Sequence, residues 1–580
     1  MSYKDEFRRW LDSPALSAEE WRELDAMRSD EAEQRERFSA PPEFGTAGLR
    51  GKMGIGLSRL NVHIVRWTTQ ALSRLIAAEG DEARRRGVAI AYDCRENSEL
   101  FAREAACVCA ANGVRVRLFE SLRPTPELSF AIRHYHTMAG INITASHNTK
   151  EYNGYKVYWS DGAQLPPQHA KAVADMMQSI DLFEDIATMP LEEAVEKGDI
   201  TWLGAETDEL FIARVLGESV TPGALEAAGD FSVVYTPFHG AGYRIVPEML
   251  RRLGVQTLYP VAEQMEPDGT FPTVASPNPE NPEGFALAVA LAKEYNASLI
   301  LGTDPDSDRL GVLTPDGCGG YVHLTGNQVG ALLLDYIVSS RKRSGTLPDN
   351  AAAVSTIVST GMVRAICETN GIHFDETFTG FKFMAEKIAA YESAADWRYI
   401  FAFEESYGYM TGDYVRDKDA VTAAMLVTEM AAVYHAQGMT LRRALDGLYV
   451  RYGRREERSI SVYMEGLDGK ERMNALMQSL RETPPMALAG RRVLRVRDYS
   501  DGTVSVPGLG MVDRTPIVGS NVLYFELEDR TAFIVRPSGT EPKIKFYFLI
   551  QQEDASLCAA TADACESEAR RLCDGEGSAN

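Results

Sequence analysis

The chain is short of the features that mark secreted, membrane-spanning or nucleic-acid-binding proteins. Its 580 residues hold only eight cysteines, none in a CxxC pair, and the tightest spacing is Cys107-Val108-Cys109. That scatter excludes a disulfide scaffold and a cysteine-rich zinc site, and it fits free thiols in a reducing compartment. No uninterrupted apolar run reaches the ~18 residues of a spanning helix. The first ten residues, MSYKDEFRRW, are charged and helical in pattern, with no apolar signal core. Basic residues are in deficit, 60 Lys and Arg against 83 Asp and Glu, for a net charge of −23. Nucleic acid and anionic membranes both require basic surface, so neither is an expected partner. A small anion remains possible if the cations converge in one cleft. The expectation is a cytoplasmic protein.

The rest of the composition is ordinary for a globular protein, with 45% hydrophobic and 25% charged residues. The length exceeds a single core, and at ~150 residues per domain it implies about four. Residues 4–38 read as two charged amphipathic helices around Asp12-Ser13-Pro14. A helix near 62–79, a strand at 88–92, a helix near 98–112 and a strand at 114–118 follow in a βαβ rhythm. Residues 165–230 are acidic and helix-rich. Further strands are expected at 231–235, 298–302, 397–403, 531–535 and 544–550. The divisions drawn from this are a helical extension at 1–40 and domains at 41–215, 216–325, 326–455 and 456–580. No low-complexity linker separates them.

Four stretches carry chemistry. In the first, the apolar run Ala139 to Ile143 ends in Thr144-Ala145-Ser146-His147-Asn148. A Tyr-Asn-Gly-Tyr turn then leads to Lys156. A serine where a buried strand opens into a loop is well placed, since ligands of α/β folds sit at strand carboxyl ends. His147 can polarise a neighbour, and Lys156 can bring a cation to an anion. In the second, the strand at 298–302 delivers Thr303-Asp304-Pro305-Asp306-Ser307-Asp308-Arg309. Three alternate carboxylates repel one another unless a cation joins them, and an all-oxygen donor set favours Mg²⁺ or Ca²⁺ over Zn²⁺. An EF-hand is excluded, because Arg309 and Pro315 stand where that loop needs Gly and Glu. Mg²⁺ keeps open positions for water and phosphate oxygens.

In the third, Thr379-Gly380-Phe381-Lys382 precedes a strand ending in Glu404-Glu405-Ser406. Adjacent glutamates on extended chain face opposite ways, so one Glu with Ser suits sugar hydroxyls better than a glycosidase pair. Arg416-Asp417-Lys418-Asp419 adds another cation. In the fourth, Arg536-Pro537-Ser538-Gly539-Thr540-Glu541-Pro542-Lys543 lies between two strands, a nest for a phosphate dianion. Two glycine loops are weaker signals. Phe44 to Lys52 carries Arg50 and Lys52 but is not a P-loop, and His239-Gly240-Ala241-Gly242 lacks the third glycine of a dinucleotide fingerprint. Together these parts suit a phosphosugar whose phosphoryl groups are exchanged between its ends.

TASHN (Thr144 to Asn148), GTDPDSDR (Gly302 to Arg309), EES (Glu404 to Ser406) and RPSGTEP (Arg536 to Pro542) resemble the motifs of the α-D-phosphohexomutase superfamily, in the family's order. The YNGYKVYW and RPSGTEPKIKFY stretches are most similar to its long-chain phosphoglucomutase/phosphopentomutase branch. The resemblance spans about residues 40–550. It implies three related mixed-sheet α/β domains and a smaller α+β C-terminal domain around a central cleft. It further implies Ser146 as a phosphoserine, with Asp304, Asp306 and Asp308 holding one Mg²⁺ together with a phosphoserine oxygen. Arg309, Thr379, Gly380, Lys382, Glu404 and Ser406 would meet the sugar phosphate. Arg536, Ser538, Gly539, Thr540 and Lys543 would hold the phosphate that does not react. Arg50, His147, Lys156 and Lys418 would line the reacting end, and Lys156 or Lys418 would carry the proton. Thr149 stands where relatives have Pro, and Gly539 where many have Asn.

The implied reaction is glucose 1-phosphate to glucose 6-phosphate, with glucose 1,6-bisphosphate as intermediate and activator and a mobile fourth domain closing over it. Phosphopentomutase or hexose bisphosphate synthase activity is the alternative within the superfamily. Outside it stand a haloacid-dehalogenase-type phosphatase, with Asp304 as nucleophile, and a non-catalytic sugar-phosphate sensor. The expected partner is a small sugar phosphate, and the expected state a monomer or weak homodimer.

Overall fold

The structure, a computed structural model, describes residues 2–45, 48–464, 469–538 and 543–574. Three amino-terminal helices stand where two were expected: Tyr3–Leu11, Ala18–Ala26 and Glu31–Phe38. Each has its own start signal. Ser2 and Ser17 form capping boxes with Asp5 and Glu20, and the Asp30 side chain caps the third helix. Their apolar faces are not free-standing, because Phe7, Trp10, Leu24 and Phe38 join the core under the first sheet.

That sheet has six strands in the order Leu49–Lys52, Tyr152–Trp159, Ala139–Ile143, Val88–Tyr92, Val116–Phe119 and Ile200–Leu203. The last four are parallel and the first two antiparallel, a mixed sheet. Ile200–Leu203 was not foreseen inside the acidic segment. The expected Tyr-Asn-Gly-Tyr turn is also absent, since Tyr152–Trp159 is continuous strand. Its glycine serves close approach instead. A Cβ on Gly154 would lie 2.4 Å from the Thr144 carbonyl and 3.0 Å from that of Leu49. The chain turns earlier, over residues 146–151.

The second sheet orders Tyr321–Leu324, Leu310–Pro315, Leu299–Thr303, Ser232–Thr236 and Thr257–Pro260, and the third orders His373–Thr377, Ala351–Thr356, Arg398–Glu404 and Gly408–Met410. Both are mixed, with parallel strands joined by helical crossovers. One apolar cluster runs under both, from Tyr235 and Leu301 through Phe401 and Phe403 to Leu426 on helix Ala420–His435. The fourth sheet is antiparallel throughout, with eight strands. It rests on the third unit through Ile357, Val358 and Phe378 against Tyr499, Ile534 and Tyr547. In the first three sheets the chemistry-bearing loops leave the carboxyl ends of parallel strands, where a cleft can open.

Candidate active site

The Ser146 side chain is fixed by its own loop before any ligand is considered. Beyond strand Ala139–Ile143, Ser146 adopts φ +52°, a left-handed conformation that costs a residue with a Cβ on the order of 1 kcal/mol or more. Tertiary contacts hold it there. The Ser146 amide donates to Thr144 Oγ1 (2.8 Å), and that hydroxyl donates to Asp93 Oδ2 (2.6 Å). Buried Arg95 donates to the carbonyls of Ser146 and Asn148 (both 2.6 Å), Thr149 (2.9 Å) and Tyr152 (3.0 Å). Arg95 Nε also lies 3.2 Å from Asp93 Oδ2, and the guanidinium sits over the Phe271 ring from the second unit. Asp93 and Arg95 follow a buried strand as TASHN does, and that shared position is the signal that could have found them. Thr149, which stands where relatives have Pro, is held by Arg95 through its carbonyl.

The Ser146 hydroxyl points into the aspartate loop. Its Oγ donates to Asp304 Oδ2 at 2.8 Å and lies 3.1 Å from His147 Nδ1. One carboxylate oxygen from each of Asp304, Asp306 and Asp308 falls within 4.8 Å of the others, and all three residues are buried. Asp304 Oδ1 accepts the amides of Asp308 and Arg309, both at 3.0 Å. Lys156 Nζ donates to Asp306 Oδ2 (2.7 Å), and Lys418 Nζ stands 3.2 Å from Asp308 Oδ2. Asp306 Oδ1 and Asp308 Oδ1 are buried with no hydrogen-bond partner among the described residues. Orphaned anionic oxygens are costly, so these two, with the all-oxygen donor set, fit a hard divalent cation.

Charge in the cleft follows the same geometry. Burial and the charges of Asp306 and Asp308 push the Asp304 carboxyl well above the usual range. Burial would also raise Asp306, but Lys156 and the Thr125 hydroxyl outweigh it and hold that carboxyl down. Desolvation beside Arg309 and Arg50 keeps the His147 imidazole well below its ordinary value, hence neutral at pH 7. Arg50 is exposed and donates to Asn148 Oδ1 (2.9 Å), while Arg309 is anchored on Glu280 (2.7 Å). Asp417, not foreseen, accepts from Tyr158 (3.0 Å), Gln164 (3.0 Å) and Lys418 Nζ (3.0 Å), and so aims that lysine.

The third and fourth stretches meet beside this centre. Gly380 donates its amide to Glu404 Oε2 (3.2 Å), whereas Glu405 takes Thr356 Oγ1 (3.2 Å), so the adjacent glutamates have different partners. Thr379 and Ser406 are half-buried. Burial holds the Lys382 ammonium below its ordinary value, and the Arg536 charge adds to that effect, which places the fourth unit's loop in its field. Burial raises the Glu405 carboxyl, with Glu404 adding and Lys545 of the fourth sheet opposing. The Ser538 amide donates to the Lys543 carbonyl (2.9 Å), and Lys543 Nζ lies over the Tyr463 ring. Gly539 and Thr540 lie outside the described residues. The metal loop itself is tied into the third unit, because the Leu310 amide donates to the Tyr407 carbonyl (3.0 Å). The glycine loop discounted for nucleotide backs the aspartates, with the Ala241 amide on the Pro305 carbonyl (2.8 Å).

Buried carboxylates facing a strained serine under converging cations suit phosphoryl transfer, and that is the class of protein this fold and cleft describe. Three family models match in succession, the phosphoglucomutase/phosphomannomutase alpha/beta/alpha domains I, II and III, over residues 41–184, 211–317 and 325–452. The phosphoglucomutase of Staphylococcus aureus strain bovine RF122/ET3-1 is 36% identical over 521 residues, 89% of this chain and 90% of that one. That of strain MRSA252 is 36% identical over 528 residues, covering 90% and 92%. A phosphoglucomutase/phosphomannomutase family protein from Burkholderia thailandensis shares the fold with TM-score 0.64 at 19% identity, covering 93% of this chain and 98% of that one. So does the open form of the Paramecium phosphoprotein pp63/parafusin, a phosphoglucomutase, with TM-score 0.66 at 18% identity and coverage of 92% and 96%. The chain belongs to the phosphoglucomutase/phosphomannomutase family of the α-D-phosphohexomutase superfamily.

Among the described residues no helix is long and apolar enough to cross a membrane.

Proposed function

We propose that the chain is a phosphoglucomutase, interconverting α-D-glucose 1-phosphate and glucose 6-phosphate through a phosphoserine at Ser146 and a glucose 1,6-bisphosphate intermediate. One observation carries the reading: Ser146 Oγ sits 2.8 Å from a carboxylate of a buried aspartate triad, two of whose oxygens, Asp306 Oδ1 and Asp308 Oδ1, lack hydrogen-bond partners among the described residues. Family membership and the Staphylococcus relatives support the substrate. They lend nothing to the pentose, bisphosphate-synthase or aspartyl-phosphatase alternatives.

Asp304, Asp306 and Asp308 would hold Mg²⁺, which supplies charge neutralisation at the transferring phosphoryl group. The chain's own residues do the rest. In the forward step the P–Oγ bond of the phosphoserine breaks as a bond forms to the free sugar hydroxyl, whose proton must leave. Lys156 and Lys418 both enter as ion-paired cations. The partners of Lys156, Asp306 and Asp308, both belong to the triad and share their charge once it is filled; Asp417 lies outside it and goes on holding Lys418. We therefore assign acceptance of that proton to Lys156 as its neutral amine, the ammonium having first lost a proton to solvent, and fixed positive charge to Lys418, Arg50 and Arg309. Glu404 and Ser406 would take sugar hydroxyls, and Arg536 with Ser538 the distal phosphate. The bisphosphate turns end for end under the fourth unit and returns its other phosphoryl to Ser146. Water must be kept out, or the phosphoserine would hydrolyse.

The test is turnover of glucose 1-phosphate at catalytic enzyme concentration, with peptide mass mapping of the covalent phosphate. Ser146→Ala should abolish turnover and the phosphopeptide together. Phosphate mapped to another residue, or turnover surviving the substitution, would end the assignment.

A further inference from the structure

The triad's middle carboxylate is held by residues that take no part in the chemistry above. Thr125 opens helix Thr125–His134 of the first unit, and Asp306 lies in the second. They are joined twice: the Thr125 amide donates to the Asp306 carbonyl and the Thr125 hydroxyl to Asp306 Oδ2, both at 2.8 Å. Behind Thr125, Asn142 Nδ2 donates to the Thr125 hydroxyl oxygen at 2.7 Å. Asn142 sits on the serine strand, directly opposite Lys156 in the antiparallel register, and Lys156 is the other donor to Asp306 Oδ2. Thr125, Asn142 and Asp306 are all 0% exposed.

The direction of these bonds is forced. A threonine hydroxyl carries a single proton. With the Asn142 amide donating into its oxygen, that proton is free only to point away, towards Asp306. Among the described residues Asp306 Oδ2 thus receives two donors and Oδ1 none. We propose that Asn142 and Thr125 are positioning residues for the cation site: they fix the Asp306 rotamer and occupy its inner oxygen, so that Oδ1 is presented to the metal. Because the relay starts on the strand that bears Ser146, it also registers the metal loop against the serine across the boundary between the two units. The inference rests on the reading of the triad as a metal site. Partners of this kind typically contribute 10–100-fold in metal affinity.

The experiment measures metal binding itself, by titrating the chelator-stripped full chain with Mn²⁺ and following free Mn²⁺ by electron paramagnetic resonance. Thermal melts of the apo chains check folding. Thr125→Val keeps shape but removes the proton, and should weaken Mn²⁺ binding about tenfold or more. Thr125→Ser should bind within about twofold of the parent, since the hydroxyl is restored. Asn142→Leu keeps volume, leaves the hydroxyl free to rotate, and should weaken binding by a smaller factor in the same direction. A merely structural role would lower the melting temperature of Thr125→Val and Asn142→Leu without moving Mn²⁺ affinity, and that result overturns the proposal. A parent chain that binds no Mn²⁺ would instead remove the metal reading, and the proposal with it.

Discussion

Replacing Arg95 by Met should separate the serine loop from its support without touching any group assigned to substrate. Arg95 makes four hydrogen bonds to loop carbonyls and one buried ion pair. The hydrogen bonds to the carbonyls of Asn148, Thr149 and Tyr152 are only partly buried, so these groups can be rehydrated in the variant. Those that cannot are the enclosed Ser146 carbonyl and Asp93, at 2% exposure. An orphaned buried carbonyl costs about 1–3 kcal/mol, and breaking a buried pair about 3–5. Asp93 limits the sum, because burial already raises its carboxyl even with Arg95 beside it, and it will take up a proton once the guanidinium is gone. The expected loss is therefore about 3–5 kcal/mol near neutral pH. An acid with a raised folded-state pKa destabilises the fold increasingly as pH rises through the interval above its unfolded value, and that penalty vanishes at lower pH. The deficit of Arg95→Met should narrow as pH falls towards about 4. Released from its clamp, Ser146 at φ +52° is free to relax, and a misplacement of about 1 Å costs about 10²-fold in kcat. Denaturant melts at several pH values and glucose 1-phosphate turnover read both effects. Adding Asp93→Asn to Arg95→Met should recover part of the stability but not the rate. A single variant with parental stability and kcat, or a double variant no better than the single, would refute the clamp.

Two further outcomes follow from other parts of the fold. Burial would raise the Glu20 carboxyl, but hydrogen bonds from His63 and the Ser17 amide outweigh it and hold it at about 2, below the ordinary 4.5. With Glu20 26% and His63 5% exposed, Glu20→Gln should cost roughly 2 kcal/mol at pH 7. Since the folded pKa is depressed, that gap should close as pH falls from about 4.5 to about 2, read by denaturant melts; a pH-independent gap would contradict the pairing. Gly154→Ala should lose about 1–3 kcal/mol and a larger share of activity, because its Cβ would press on the Thr144 carbonyl, two residues before Ser146. An unaltered melting temperature and kcat would show that the strand gives way harmlessly.

The sequence by itself determined the pieces whose physics is local. Strands at 88–92 and 139–143 read directly from apolar runs, since a parallel strand buried on both faces has no polar alternation to obscure it. Ser146 and the triad were legible because polar residues directly after such strands have few structural uses. The Asn-Gly of Tyr152–Trp159 misled, because a turn signal and a close-approach glycine look alike until the neighbouring backbone is known. The folded chain alone decided what pairs with what. Thr125 stands 181 residues from Asp306, and Tyr158 stands 259 from Asp417. Arg95 among 60 basic residues gives no local sign that it will gather four carbonyls of one loop. Local pattern fixes which residues are buried or turn; hydrogen-bond partners are fixed only when sheets from distant segments close on one another, because direction and distance at the scale of a proton are properties of the assembled packing.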